Sequence, residues 1–357
     1  MAAEVGLLGS GSAGELYLRH ARNDCALRYV ACADVDRARA VALAEEHGLS
    51  RGCTPEELLA DPAVGVVVNL SPAAAHGPTG LDILRAGKHL YSEKPLAANV
   101  REARLLLEEA EGRGLRVGCA PDTFLGPAFQ TARRLVDDGR VGAVFGASVA
   151  LAMIQPERWH PRPEAFYGEA AGPLFDMGPY YLTVLVTLLG PIARVAGFGT
   201  VAARERLAPS TGAQIEPAVP SHEVGVLEFA GGAVASLSVS FDAAASAAPP
   251  IEVHGSLGTL LLPDPNGGGG AVRSCLHDRR AWVEEPHVAA NVQTRCIGIE
   301  DMLRAIDERR PHRANGALAL HVLDVMESLR SAMASRSVVQ LRTTCERPEP
   351  LDATANS

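Results

Sequence analysis

The sequence predicts an α/β protein of two domains: a doubly wound parallel sheet over residues 1–121, then an α+β domain with an open, mostly antiparallel sheet over 122–357. Three observations predict it. Short β-branched runs alternate with Ala/Leu/Glu/Arg stretches of helical spacing as far as residue 120. A glycine-rich turn at residues 9–14 joins the first strand to the first helix. From residue 192 to 282, short strands recur at hairpin spacing, separated by Gly-rich turns.

In the first domain, residues 4–8, 29–33, 64–70, 89–92 and 116–119 read as buried parallel strands. Helical spacing covers 15–21, 38–47, 54–60, 77–86 and 100–113. Thr54-Pro55-Glu56-Glu57 is a helix start: Thr54 caps, Pro55 takes the first position, and the acids face the positive helix end. After 121 a helix at 127–138 is followed by a strand at 144–154 and a polar, Pro-rich loop to 172. A strongly apolar helix then spans 179–189. Strands are expected at 192–200, 221–229, 233–241, 251–254, 259–262 and 279–283, with a Gly-rich loop at 264–270. Helices at 299–308 and 317–334 and a Pro-containing tail close the chain.

A chain of 357 residues has room for two domains and for a core that needs no metal or disulfide staple. Its 33 Lys+Arg against 42 Asp+Glu give a net charge of −9, which argues against a nucleic-acid or anionic-membrane surface. The seven cysteines (25, 32, 53, 119, 275, 296 and 345) are scattered without a CxxC or zinc spacing, as expected of reduced, mostly buried thiols. The N-terminus lacks a basic region followed by a long apolar one, and the longest uncharged stretch, 141–155, falls short of the ~18 apolar residues of a spanning helix. A soluble cytoplasmic protein is expected.

Gly9-Ser10-Gly11-Ser12-Ala13-Gly14 follows a strand and opens a helix at the start of a βαβ unit, the context of a dinucleotide fingerprint. Gly9 allows the tight turn, Gly11 lets a pyrophosphate approach bare backbone, and Gly14 lets helix pack on strand. The plainer alternative is a glycine-rich turn without a ligand. Asp34, twenty residues beyond Gly14, ends the second strand. A carboxylate there accepts from the ribose hydroxyls and repels a 2′-phosphate, which favours NAD; Arg37 would favour NADP, and helix capping is a further role for Asp34.

Leu70-Ser71-Pro72 and His76 mark the carboxyl end of the third predicted strand, where ligands bind in open parallel sheets. Glu93-Lys94-Pro95 marks the next strand end, an odd place for a merely solubilising lysine, and Pro95 makes a cis Lys94–Pro95 bond an expectation. Far along the chain, Gly172-Pro173-Leu174-Phe175-Asp176-Met177-Gly178-Pro179-Tyr180 places Asp176 and Tyr180 at the start of the apolar helix, four residues apart and on one side. Against these stand bland roles: a surface lysine, a capping aspartate and a buried tyrosine. Asp122, Trp159 and His160 are further substrate-side candidates, with Asn291 and Arg295 as weaker ones. No His/Asp/Glu grouping has metal-ligand spacing.

Together the three motifs, in this order, resemble the Gfo/Idh/MocA family, named for glucose-fructose oxidoreductase, inositol dehydrogenase and a rhizopine-catabolism protein. The resemblance covers essentially the whole chain. It implies that Lys94 and Asp176 lie beside the nicotinamide and handle the proton of a substrate hydroxyl. Tyr180 stands at the family's usual histidine position, so the proton carrier is either Tyr180, activated by the Lys94 ammonium, or Lys94 itself. The implied activity is NAD(P)-dependent oxidation or reduction of a sugar, cyclitol or related polyol. Two other readings remain open: an enzyme that retains NAD and uses transient oxidation for epimerisation or glycoside cleavage, and a dinucleotide-sensing regulator. The resemblance also implies a homodimer or homotetramer formed through the second domain's sheet, whose strand 233–241 alternates small and large residues.

Overall fold

The structure, a computed structural model, describes residues 4–20, 27–288 and 295–351. The chain divides into two compact units, residues 1–126 with 292–323, and 127–291 with 324–357.

In chain order the first unit opens with β1 (Glu4–Leu8), α1 (Ser12–His20), β2 (Tyr29–Ala33), α2 (Arg37–His47), β3 (Arg51–Cys53) and α3 (Pro55–Ala60). It continues with β4 (Val64–Asn69), α4 (His76–Arg85), β5 (His89–Ser92), α5 (Val100–Arg113) and β6 (Val117–Cys119). The six strands form one parallel sheet in the order β3-β2-β1-β4-β5-β6. Helices cover both faces of such a sheet, so its strands are apolar throughout: all five residues of β2 are buried. The Thr54 start forms as read, with Glu57 N–H donating to Thr54 Oγ1 at 3.3 Å and Thr54 N–H to Glu57 Oε2 at 3.0 Å. The three-residue β3, too short to show periodicity, was not foreseen.

The second unit begins with α6 (Pro127–Asp137), β7 (Val144–Ala152), α7 (Gly172–Leu189), β8 (Ile192–Thr200), β9 (Arg206–Leu207) and β10 (Gln214–Ile215). Next come β11 (His222–Phe229), β12 (Val234–Ser240), β13 (Ile251–Gly255), β14 (Gly258–Leu262), β15 (Val272–Leu276) and β16 (Trp282–Glu285). α8 (Ile297–Glu308) belongs to the first unit, α9 (Gly316–Ser335) runs from the first into the second, and β17 (Val339–Gln340) ends the described elements.

Nine strands make one sheet, β16-β15-β14-β13-β7-β12-β11-β8-β17, antiparallel except for the β7–β12 pair. α7 packs on β7, β11 and β12, and α6 on β14 and β15. The inward residues Leu227, Leu237, Val239, Val149, Val253 and Leu260 are all at most 3% exposed. At about 1.5–3 kcal/mol per buried aliphatic side chain, this layer is the main stabilising element of the unit.

Three details of the second unit depart from the sequence reading. α7 begins at Gly172, seven residues before the predicted start, and holds Pro179 in its interior. β15 (Val272–Leu276) follows the loop read at 264–270 and was not foreseen, and the last hairpin strand, read at 279–283, lies at Trp282–Glu285. The return of 292–323 to the first unit has a clear physical basis. β6 would otherwise be an open sheet edge. Cys119 N–H donates to the Ala314 carbonyl at 3.0 Å, the Arg116 guanidinium to the Arg310 carbonyl at 2.6 Å, and the His312 ring lies 3.0 Å from the Val117 carbonyl.

Candidate functional site

Strand order 3-2-1-4-5-6 reverses direction of growth between β1 and β4, and ligands of open parallel sheets bind outside the carboxyl ends at that point. Gly9 follows β1 there with φ of 122°. A Cβ on it would lie 2.5 Å from the Leu70 carbonyl oxygen, so the close approach of the β1 and β4 ends requires glycine. A Cβ on Gly14 would lie 2.7 Å from the Gly9 carbonyl oxygen and 3.3 Å from Leu43 Cδ2. Gly11 differs: the nearest atom to its Cβ would be Arg39 Nη2, 4.0 Å away. The protein itself therefore does not require glycine at 11. Bare backbone there, with Ser12 and Ala13 opening α1, fits the approach of a pyrophosphate to free N–H groups at a helix start.

Asp34 ends β2 beside this turn. Its Oδ2 accepts the Ser10 N–H at 2.9 Å and the Ser10 hydroxyl at 2.6 Å, and its Oδ1 accepts the Asp36 N–H at 3.0 Å. Partial burial pushes the carboxyl up, but these hydrogen bonds and the nearby Arg39 outweigh it and hold it below the usual carboxylate range. The capping of α2 falls to Asp36, which accepts from the Ala38 and Arg39 N–H groups. Arg37 is largely exposed and pairs with Glu57 at 3.6 Å. The guanidinium over the glycine turn is that of Arg39, which donates to the Ser10 carbonyl at 3.4 Å.

At the end of β4, Leu70 is buried, Ser71 half-buried and Pro72 exposed. The Asn69 Oδ1 accepts the Ser71 hydroxyl at 2.7 Å, and Asn69 Nδ2 donates to the His76 carbonyl at 3.1 Å. The buried His76 ring bridges two carbonyl oxygens, Nδ1 at 2.6 Å from Pro95 and Nε2 at 2.8 Å from Ser71. Lys94, half-buried, follows β5 at the same edge, and the Lys94–Pro95 bond is cis, as is Ala120–Pro121. Glu93 folds back: its Oε2 accepts the Lys94 N–H at 2.9 Å and its Oε1 the Tyr17 hydroxyl at 2.7 Å. Asp122, beyond β6, is 4% exposed, and its Oδ2 accepts the Gly298 N–H at 2.9 Å, anchoring the start of α8. Burial pushes its carboxyl up to about 6; the Gly298 bond and Arg295 oppose that, and Glu93 adds to it. Asn291 lies outside the described residues.

In the second unit, Asp176 and Tyr180 lie inside α7, one turn apart on one side, at its fifth and ninth residues. The N-cap is Ala171, which offers no side-chain oxygen. The capping acceptor comes from β11: Glu223 Oε2 accepts the Leu174 N–H at 3.1 Å, and Arg330 Nε donates to Glu223 Oε1 at 3.2 Å. Pro179 has no N–H to close on the Phe175 carbonyl, and it sits between the two candidate residues. Trp159 is 48% exposed, and its ring meets His160 and Phe166 edge-on at 5.5 and 5.4 Å. The segment carrying it is held by Arg206, which pairs with Glu157 and Asp242 at 2.7 Å each and lies 4.5 Å over the Tyr167 ring.

Arg39, Tyr17, Glu223 and Arg206 were not foreseen, since each acts on a partner distant in sequence. One signal for Lys94 was readable: of the 33 Lys and Arg residues only Lys88 and Lys94 are lysine. Arginine cannot replace a compact ammonium that shifts its charge state, and Lys88 and Lys94 are the two side chains with that chemistry. Lys88 is buried, with Nζ 2.5 Å from the Asp61 carbonyl, and burial lowers its pKa.

The fold and the glycine turn define the class, a protein built on a dinucleotide-binding domain. Residues 3–120 match the oxidoreductase family with NAD-binding Rossmann fold, and 129–261 match the Gfo/Idh/MocA C-terminal domain. The chain belongs to the Gfo/Idh/MocA family. It is 26% identical to the inositol 2-dehydrogenase of Rhizobium meliloti (strain 1021), over 95% of this chain and 99% of that one. It is 27% identical to the 1,5-anhydro-D-fructose reductase of Ensifer adhaerens, over 72% and 74%. The scyllo-inositol 2-dehydrogenase (NADP(+)) of Bacillus subtilis (strain 168), at 27% identity, is matched over only 37% of its length. Among solved structures, an NAD binding oxidoreductase from Klebsiella pneumoniae superposes with a TM-score of 0.85 at 23% identity, over 96% of this chain and 99% of that chain. Levoglucosan dehydrogenase in complex with NADH gives 0.82 at 20%, over 95% and 99%.

Proposed function

We propose that this protein transfers hydride between a nicotinamide dinucleotide, NAD in preference to NADP, and a secondary alcohol or ketone of a sugar, cyclitol or related polyol. The observation that carries the reading is a shared edge. The bare Gly11 backbone, the Asp34 carboxylate and Lys94 all follow strands that end on one side of one parallel sheet. The names of the inositol and anhydrofructose enzymes support the substrate class.

When bound, the nicotinamide supplies or accepts the hydride. The chain's own residues do the rest. Asp34 accepts from the ribose hydroxyls, and Ser10, Leu70, Ser71, Pro72, His76 and Glu93 form the cofactor side. Tyr180 gives or takes the proton at its hydroxyl oxygen, an ammonium favours the phenolate and Lys94 is the residue proposed to supply it, and Asp176 balances that charge. In the converse assignment Lys94 exchanges the proton at Nζ and Tyr180 orients the substrate. Asp122, Trp159 and His160 are the remaining substrate-side residues, Trp159 being a half-exposed aromatic of the kind on which a sugar stacks. A near-ultraviolet screen of oxidised and reduced NAD and NADP against sugars, inositols, glycosides and keto-sugars tests the reading. Turnover on a polyol or its ketone is expected; dinucleotide binding without turnover on any of them contradicts it.

We assign a second copy of this chain to the outer face of the nine-stranded sheet, in a homodimer or homotetramer. Phe198, Val224, Val226 and Val234 are 71, 42, 49 and 48% exposed on β8, β11 and β12, with Phe198 directly opposite Val224. Sedimentation that shows only monomer at micromolar concentration contradicts this. The cytoplasm suits the chain: no disulfide joins the six cysteines among the described residues, and no described helix is long and apolar enough to cross a membrane.

A further inference from the structure

We propose that Tyr17 is a positioning residue for Lys94, acting through the Glu93 carboxylate; the inference rests on the reading of Lys94 as a proton-handling group. Tyr17 lies on α1, three residues past Gly14, so one helix carries both the glycine turn at its start and this phenol on its buried face. The phenol is 4% exposed, and its hydroxyl donates to Glu93 Oε1 at 2.7 Å. The other carboxylate oxygen accepts the Lys94 N–H at 2.9 Å. Glu93 N–H in turn donates to the Asn69 carbonyl at 2.9 Å, which ties the same residue to the end of β4. The lysine backbone is thus fastened through one carboxylate to the helix that opens on the phosphate turn.

The chemistry suits a fixed donor. Burial, and then the nearby Glu93, push the Tyr17 hydroxyl well above its ordinary range, so it keeps its proton at every working pH and donates continuously. Removing it leaves Glu93 Oε1 without that donor in a pocket that also faces Asp122, Tyr91 and Cys296. A carboxylate with one oxygen loose no longer fixes the peptide it grips, and a misplacement on the order of 1 Å costs about a hundredfold in rate.

The test uses the two-lysine composition. Reductive ¹³C-methylation of the full-length protein labels Lys88, Lys94 and the amino terminus, and Lys94→Arg assigns the Lys94 resonance. In Tyr17→Phe the Lys94 resonance and its titration are expected to move while those of Lys88 stay put. Turnover should fall about ten- to a hundredfold with the dissociation constant for NAD within about threefold. If Tyr17→Phe does not fold, Tyr17→Leu, which also lacks the donor, gives the same readouts. An unmoved Lys94 resonance in a folded variant overturns the proposal, whatever turnover does. A moved resonance with an unchanged turnover rate overturns instead the role given to Lys94 in the reaction.

Discussion

Asp34 and Ser10 are joined twice, the carboxylate Oδ2 accepting both the backbone N–H and the hydroxyl of the serine at 2.9 and 2.6 Å. The second residue of the glycine turn is thereby fixed by the same carboxylate that faces the expected ribose. Replacing Asp34 with Ala removes a charged acceptor, a change of roughly 1.5–3 kcal/mol, so NAD should bind about ten- to a hundredfold more weakly. Because hydrogen bonds hold this carboxyl below the usual range, its contribution to folding stability is present above the unfolded pKa near ~3.9 and is lost as pH falls through the lower folded value. Calorimetric titration of the variant with NAD and NADP checks this; an unchanged affinity for both rules it out.

The three glycines of the turn separate structure from ligand. Gly11→Ala meets no protein atom nearer than 4.0 Å, so the variant should melt with the parent yet bind NAD at least about tenfold more weakly. Gly14→Ala drives a Cβ to 2.7 Å from the Gly9 carbonyl oxygen and should lower stability by about 1–3 kcal/mol. Paired melting and binding curves decide it. Equal binding by Gly11→Ala and the parent would show that no pyrophosphate approaches there.

Asp122 gives the first unit a readable pH dependence. Its folded pKa, about 6, lies above the unfolded one. Between ~4 and that value the folded form holds the extra proton, so this group's contribution to stability falls as pH rises and is level beyond. Asp122→Asn keeps an acceptor for Gly298 N–H and removes the titration. Its stability relative to the parent should climb through that window and then plateau, as urea unfolding across the range would show. Parallel profiles would place the titrating group elsewhere.

Much of this fold was legible because its signals are local. Strand-helix alternation, the capping box at Thr54 and the spacing Gly9-x-Gly11-x-x-Gly14 depend on residues close in sequence. The start of α7 was not, since Pro179 resembles a first helical residue while the cap that begins the helix at Gly172 is supplied by Glu223, from another strand. Arg37 was the nearer cation to Asp34 in sequence, yet Glu57 holds it and Arg39 reaches the turn. The return of 292–323 to the first unit depends on covering the β6 edge, which no local pattern reports. Lys94, Asp176 and Tyr180 are assigned from motif context, and the roles proposed for them rest on chemistry that spacing alone does not carry.

Glu223 and Arg330 make a sharp stability prediction for the second unit. Glu223 is 1% exposed, and burial raises its pKa against the pull of Arg330. Arg330 also donates to the Glu169 and Ala171 carbonyls and lies 4.4 Å over the Phe175 ring. Arg330→Met strands that carboxylate and should cost roughly 3–5 kcal/mol, while Glu223→Gln with Arg330→Met should recover much of it. Denaturant unfolding of the single and double variants distinguishes a coupled pair from two independent losses.

Lys94 is proposed to take part in the hydride-transfer reaction rather than in holding the dinucleotide. That role is tested most directly by turnover of Lys94→Ala, followed by nicotinamide absorbance, with NAD binding measured on the same protein. The rate should fall at least about a thousandfold below the parent, with NAD affinity within about threefold. Turnover at the parental rate with NAD bound normally would contradict it.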